Sequence, residues 1–280
     1  MSWLEFHHEA MATDFAIVVA GQSADYARQA AAAAWRELDR LESELSRYVE
    51  SSDIARANRL ARGDTLAIGD DALQCLLVAA EVCVATHRAF DAAYASERIG
   101  GSPPFTLDPD AHTLTSHATR LHLDLGAVGK GYALDRLAAL LQDWEIPAAL
   151  LQSGGSTALA LAAPPGETGW PVGIGESTTQ RTLALAHTAL SGSGIAVKGE
   201  HLVNPRAQST ASRTSRVWAL APTAALSDAL STAFFVMPDD EIAAFCTAHP
   251  EIGAALLNAD SGLVAHGALR PLLDEPAQPR

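Results

Sequence analysis

The run "SADYARQAAAAAWRELDRLESELS", residues 23–46, constrains the chain more than any other stretch. Ala30, Ala34, Leu38, Leu41 and Leu45 recur at helical spacing, and Ser23 stands where an N-cap belongs, so a long helix with one apolar face is predicted. That face needs a surface to lie on. Just ahead, "EFHHEAMATDFAIVVAG" holds two short stretches of strand-like alternation ended by Gly21, which read as a hairpin entering a sheet.

The rest of the chain continues the mixture. "SSDIARANRL" reads as a short capped helix, and "DDALQCLLVAAEVCVATHRAF" as a longer one opening on two acidic residues suited to a helix N-terminus. "GGSPPFTLDPDAHTL" is turn-rich, a loop or a small hairpin. "RLHLDLGAVGKGYALDRLAALLQDW" reads as a strand, a glycine turn and a helix. Strands follow in "AALLQSGGSTALALA", "GWPVGIGES", "RTLALAHTALSGSG" and "RVWALAPTAA", helices in "SDALSTAFFVM" and "PDDEIAAFCTAHP", and a closing hairpin in "GAALLNADSGLVAHG" around an Asp-Ser-Gly turn. The predicted class is α+β, mostly antiparallel sheets with packed helices.

Charge excludes one large class of function. Nineteen basic residues against 33 acidic ones leave a formal net charge of −14, and Lys130 and Lys198 are the only lysines. A protein that neutralises nucleic-acid phosphates needs the opposite balance. Apolar stretches are interrupted well short of the roughly 20 residues of a membrane span, and the N-terminus lacks a secretory pattern, so a cytoplasmic location is expected. Cys75, Cys83 and Cys246 are widely spaced with no CxxC pair, and read as buried small hydrophobes.

Four stretches could carry chemistry. "LDLGAVGKGYALD", residues 123–135, brings Asp124, Lys130 and three glycines to a strand-to-helix turn whose exposed backbone groups suit a phosphate or a cation. A tight structural turn is the alternative, and GxxxxGK[ST] is absent. In "SDALSTAFF", Asp228 and Thr232 stand four residues apart, a carboxylate and a hydroxyl on one helix face, both hard oxygen ligands of the kind Mg²⁺ accepts. The alternative is an aspartate serving its own helix dipole. In "KGEHLVNPR", His201 precedes an Asn-Pro turn and has the side chain of a general base, although ten histidines are present. In "RAFDAAY", Phe90 and Asp91 could hold a ring and its polar edge, or form a cap.

Their order along the chain is more specific than any one of them. "MATDF", "ELSRYVESSDIARAN", "AFD", "LDLGAVGKGYALD", "LQSGGS", "SGSG", "HLVNPR" and "SDALSTAFFVM" resemble the successive motifs of the ApbE family, flavin transferases that move FMN from FAD onto a target protein. The resemblance runs from about Met11 to Met237. It implies an ApbE-like (T-fold-like) architecture, either a single domain over 1–280 or two closely fused lobes with the active site between them. It implies Mg²⁺ held by the carbonyl of Ala127 and the side chains of Asp228 and Thr232, with Ser231 as a further candidate. It places Met11, Tyr48, Ala89, Phe90, Asp91, Asp124, Lys130 and Leu202 around FAD, with His201 as the base for a Thr or Ser hydroxyl of the partner protein and AMP as leaving group. The alternatives are an FAD pyrophosphatase giving FMN and AMP, or a flavin-binding protein or degenerate scaffold without turnover. This chain departs from the family pattern at Arg88, where glycine is usual, at Ser156 and Asn204, where aspartates are usual, and at Ala207 and Gln208, where Thr-Gly is usual.

Overall fold

The computed structural model describes residues 3–176, 179–194, 203–206, 209–210, 216–258 and 262–274. Its frame is an eight-stranded antiparallel sheet of β1 (Leu4–Ala10), β2 (Thr13–Val19), β6 (Ala149–Ser153), β7 (Thr157–Ala160), β10 (Thr188–Ser193), β13 (Val217–Ala221), β14 (Gly253–Asn258) and β15 (Gly262–Gly267), in that spatial order. The central strands are apolar on both faces because both faces are covered. Ile17, Val19, Leu151, Val217 and Ala219 point into one cluster and Val18, Leu150, Trp218 and Leu220 into another, the alternation of a pleated strand.

Helices cover the first face: α1 (Ala24–Leu45), α2 (Asp53–Ala57), α3 (Asp70–Ala85), α4 (Gly129–Asp143), α5 (Ala224–Val236) and α6 (Asp239–Ala248). The second face is covered by the ribbon of β8 (Trp170–Ile174) and β9 (Arg181–Leu185) and by α7 (Leu269–Asp274). Trp170 is fully buried there, its indole N–H donating to the Ala162 carbonyl at 2.9 Å. A small sheet of β3 (Thr65–Ala67), β4 (Phe105–Asp108) and β5 (Thr113–Ser116) turns "GGSPPFTLDPDAHTL" into a hairpin, and a two-residue ribbon pairs β11 (Val203–Asn204) with β12 (Ser209–Thr210).

The long helix forms as its pattern predicts. Ala30, Ala34, Leu38, Leu41 and Leu45 are all buried, and Ser23 Oγ accepts the Tyr26 N–H. Besides the shared core, its tie to the other helices has an ionic part. Asp71 on α3 accepts from Arg40 of α1 at 2.6 Å and from the Tyr132 hydroxyl of α4 at 2.7 Å, with Arg136 at 3.1 Å. Burial pushes the Asp71 carboxyl up, but these partners outweigh it and hold the group below its usual range.

Two expectations are corrected. Cys75 and Cys246 are buried, but Cys83 is only half-buried. No strand forms over residues 121–125. There the Asn58 side chain takes the place of a ladder neighbour: its amide donates to the Leu123 carbonyl at 2.9 Å and its oxygen accepts the Leu123 N–H at 2.6 Å. The Asp124 N–H then goes to the Ala92 carbonyl at 2.8 Å. The backbone is satisfied without a sheet, so it is free to enter the glycine turn.

Candidate active site

The turn begins with an Asx arrangement, the Gly126 N–H donating to Asp124 Oδ1 at 2.9 Å. The Gly129 N–H donates to the Leu125 carbonyl at 2.7 Å and the Tyr132 N–H to the Val128 carbonyl at 2.9 Å, so the Ala127 carbonyl lies in the turn where α4 begins. Lys130 then folds back and its ammonium donates to the Gly126 carbonyl at 2.7 Å.

Gly131 sets how closely α4 approaches α5. A Cβ on it would lie 2.2 Å from the Ala224 carbonyl oxygen, so only glycine permits this crossing. One turn on, Asp135 accepts the Ala224 and Ala225 N–H groups at 2.7 and 2.9 Å, capping α5 from the neighbouring helix. The result is that Asp228 on α5 meets the turn. Its Oδ2 lies 4.0 Å from Lys130 Nζ, and the residue is 1% exposed. Thr232 stands one turn further along α5. The Ser231 hydroxyl is committed to structure, donating to the Asp228 carbonyl at 2.9 Å and lying 2.9 Å from the buried Ser193 hydroxyl.

Beside the turn opens a cavity of about 230 Å³, lined by Met11, Tyr48, Asp124 and Lys130. Glu42, outside the quoted motifs, is one of its walls, and so are Ala12 and Arg47, which stand inside "MATDF" and "ELSRYVESSDIARAN" without having been given a role there. Met11 and Ala12 form the two-residue turn between β1 and β2 with φ of 48° and 58°, and the Met11 N–H donates to Glu42 Oε1 at 2.9 Å. Non-glycine residues in that region are strained, a condition that recurs at ligand sites. Tyr48 is 79% exposed on the rim, with the Arg47 guanidinium 4.4 Å over its ring and Arg47 Nε 3.4 Å from Asp124 Oδ2.

The "AFD" segment is placed differently. Ala89 and Phe90 are buried in the core beneath the helices and do not line the cavity. Asp91 is buried with its carboxylate already engaged: Arg98 and Arg88 hold one oxygen and the Ala93 N–H, at 2.9 Å, the other. Arg88 has φ of 66°, which gives the physical reason why the family pattern has glycine at this position. His201 and Leu202 lie outside the described residues, as do Ala207 and Gln208.

The Asp228–Lys130 approach was legible only as two separate motifs, because what joins them is the crossing at Gly131. Asn58 and Asp135 were missed because their partners are remote in sequence, as is the Asp124 that Arg47 approaches.

Known structures share this architecture. A single-site variant of the flavin transferase ApbE from Vibrio cholerae superposes with a TM-score of 0.84 at 19% identity, covering 97% of this chain and 100% of that one. The apo flavinyl transferase ApbE of Pseudomonas stutzeri gives 0.83 at 18%, covering 99% and 98%, and the ApbE protein of Thermotoga maritima 0.81 at 19%, covering 98% and 100%. At these identities the likeness shows the fold. No curated protein matches the sequence. The sequence model of the ApbE family, by contrast, matches residues 11–256, nearly the whole chain, and on that ground the chain belongs to the ApbE family.

Proposed function

We propose that this chain is an FAD:protein FMN transferase that moves FMN from FAD to a Ser or Thr hydroxyl of a target protein and releases AMP. The observation that carries the reading is the meeting of Asp228 with the glycine turn through Lys130, beside the cavity lined by Met11, Tyr48 and Asp124. Its family membership and the flavin transferases that share its fold support the same reading.

The residues present fit Mg²⁺. Asp228, Thr232 and the Ala127 carbonyl are hard oxygen donors of the kind Mg²⁺ prefers alongside substrate phosphates, and the Asp228 carboxylate is buried at the turn. Among the described residues no three His, Cys, Asp or Glu side chains cluster as an all-protein metal cage. Ser231 fits less well, its hydroxyl being used between Ser193 and the Asp228 carbonyl. Bound there, the ion would neutralise charge on the phosphate oxygens.

The chain's own residues do the remainder. Tyr48 offers an exposed ring on which the isoalloxazine can stack, and Lys130 supplies positive charge for the pyrophosphate in a strongly acidic protein. Asp124 fixes the turn through the Gly126 N–H. His201 accepts the proton of the acceptor hydroxyl as its oxygen attacks the FMN phosphorus. The bond from that phosphorus to the bridging oxygen breaks, and AMP leaves with the electron pair. No helix among the described residues is long and apolar enough to cross a membrane, and the acidic surface suits a protein partner, not nucleic acid.

The test is incubation with FAD, Mg²⁺ and a candidate acceptor bearing a Thr or Ser, followed by mass spectrometry. FMN covalently on the acceptor, with AMP released, is the expected result. Free FMN and AMP would make the protein a pyrophosphatase, and intact bound FAD a flavin carrier.

A further inference from the structure

Tyr48 is the most exposed large aromatic side chain among the described residues, yet the backbone beneath it is pinned. Ser46 closes α1 with its N–H on the Glu42 carbonyl at 3.1 Å, the Ser52 hydroxyl donates to the Ser46 carbonyl, and the Tyr48 N–H donates to Ser46 Oγ at 3.2 Å. What is left free to turn is the side chain. Its ring and hydroxyl are both met by Arg47, whose guanidinium lies 4.4 Å over the ring and whose Nη2 donates to the hydroxyl. Tyr26, also at the surface, is held differently. Its hydroxyl donates to the Trp144 carbonyl at 2.8 Å and its ring packs on the Trp144 indole, so it is tied to the fold.

Arg47 is half-buried and fixed at its other end. Its Nε stands 3.4 Å from Asp124 Oδ2, while Asp124 Oδ1 accepts the Gly126 N–H at 2.9 Å. A line of contacts therefore runs from the glycine turn through Asp124 and Arg47 to the rim, and Asp124, Arg47 and Tyr48 all line the cavity. Arginine suits the place because its planar guanidinium lies flat on an aromatic face and still meets a carboxylate. It covers one face of the ring, and the exposure of Tyr48 leaves the other open.

We propose that Arg47 is a positioning residue for the flavin: laid on one face of Tyr48 and steered by Asp124, it holds that ring ready for the isoalloxazine on the opposite face. This rests on the transferase reading above. A ring left free would have to be ordered when the ligand arrives, which weakens affinity by roughly twofold to tenfold.

The experiment is a double-mutant cycle on the full-length protein: wild type, Arg47→Ala, Tyr48→Ala and the pair, with Arg47→Lys beside them. FAD affinity is read by flavin fluorescence without acceptor. Affinity for ADP, which carries a pyrophosphate without the flavin ring, is read by calorimetry with Mg²⁺. The Tyr48 ring resonance is followed by NMR in the free protein, assigned among the four tyrosines by its loss in Tyr48→Ala. Arg47→Ala should raise the FAD Kd by roughly threefold to tenfold, leave the ADP Kd within about twofold, and move the Tyr48 ring resonance. In the Tyr48→Ala background it should change the FAD Kd by less than about twofold, because the ring through which it acts is gone. Arg47→Lys should recover part of the affinity, since an ammonium also sits over a ring but without the planar stack. An equal loss with and without Tyr48, or a matching loss of ADP affinity, would mean that Arg47 grips the ligand or the turn directly, and either overturns the proposal. A ring resonance unmoved in Arg47→Ala overturns the stack whether or not flavin binds. If the ring resonance moves but the wild-type protein binds no FAD, the flavin-site reading falls, and the proposal falls with it.

Discussion

Lys130 Nζ stands 4.0 Å from Asp228 Oδ2 and 2.7 Å from the Gly126 carbonyl, so one ammonium joins the glycine turn to a helix from the far end of the chain. The contact exists because α4 and α5 cross at Gly131 and because Asp135 caps α5 from α4. Geometry made by a close helix crossing is rigid, which suits the pyrophosphate site proposed above.

Asp228→Ala should abolish Mg²⁺-dependent transfer, a loss on the order of 10² or more, because several kcal/mol of charge neutralisation go with the ion. Titrating Mg²⁺ against transfer rate reads this directly. A variant whose rate still rises with Mg²⁺ removes Asp228 from the ligand set.

Gly131→Ala should destabilise the protein without touching any proposed ligand. The new methyl would sit 2.2 Å from the Ala224 oxygen and 2.8 Å from the Ala225 Cα, all of it backbone that cannot rotate away. Overpacking of this kind costs about 3 kcal/mol, which lowers Tm by roughly 5–10 °C in a chain of this size. An unchanged melting curve would mean that the helices are not pressed together at this point.

Tyr48→Ala should do the opposite. The ring is 79% exposed, so its loss should leave Tm within about 2 °C. An aromatic contact worth about 1 kcal/mol raises the FAD Kd by roughly tenfold or somewhat less. Flavin fluorescence titration checks the affinity. If Tm falls while Kd stays constant, the ring serves the fold and not the ligand.

What the sequence discloses depends on how local the cause is. The α1 pattern and the Ser23 cap are set by neighbours a few residues away and form as read, and β14 and β15 pair as expected, while Asp260 and Ser261 of the Asp-Ser-Gly turn lie outside the described residues. The segment 121–125 looks like a strand because Leu121, Leu123 and Leu125 alternate, but the alternation buries leucines in the core while the Asn58 side chain does the hydrogen bonding. No local pattern reveals a partner 65 positions upstream. The site divides in the same way. Asp228 and Thr232 are visible from helical spacing, whereas the burial of Phe90, the pairing of Asp91 with Arg98 and the Arg47–Asp124 contact come from packing between distant elements.

Asp135 makes the capping arrangement sensitive to pH. Burial pushes its carboxyl up, the Ala225 and Ala224 N–H groups pull it down, and burial wins, leaving the group at about 6. A carboxyl raised in the folded state above its unfolded value binds its proton more tightly when folded. It therefore adds stability that is complete below about pH 4 and is lost as pH rises through about 6. With a shift of roughly two units the swing is at most about 3 kcal/mol. Asp135→Asn keeps one acceptor for the start of α5 and cannot ionise, so it should remove this part of the slope of stability against pH between about 4 and 6. Denaturant unfolding of both proteins across that window isolates the contribution, since all other titrating groups are common to the two. Parallel curves for wild type and variant would show that Asp135 titrates alike in the folded and unfolded chain, and that burial between α4 and α5 does not govern its proton.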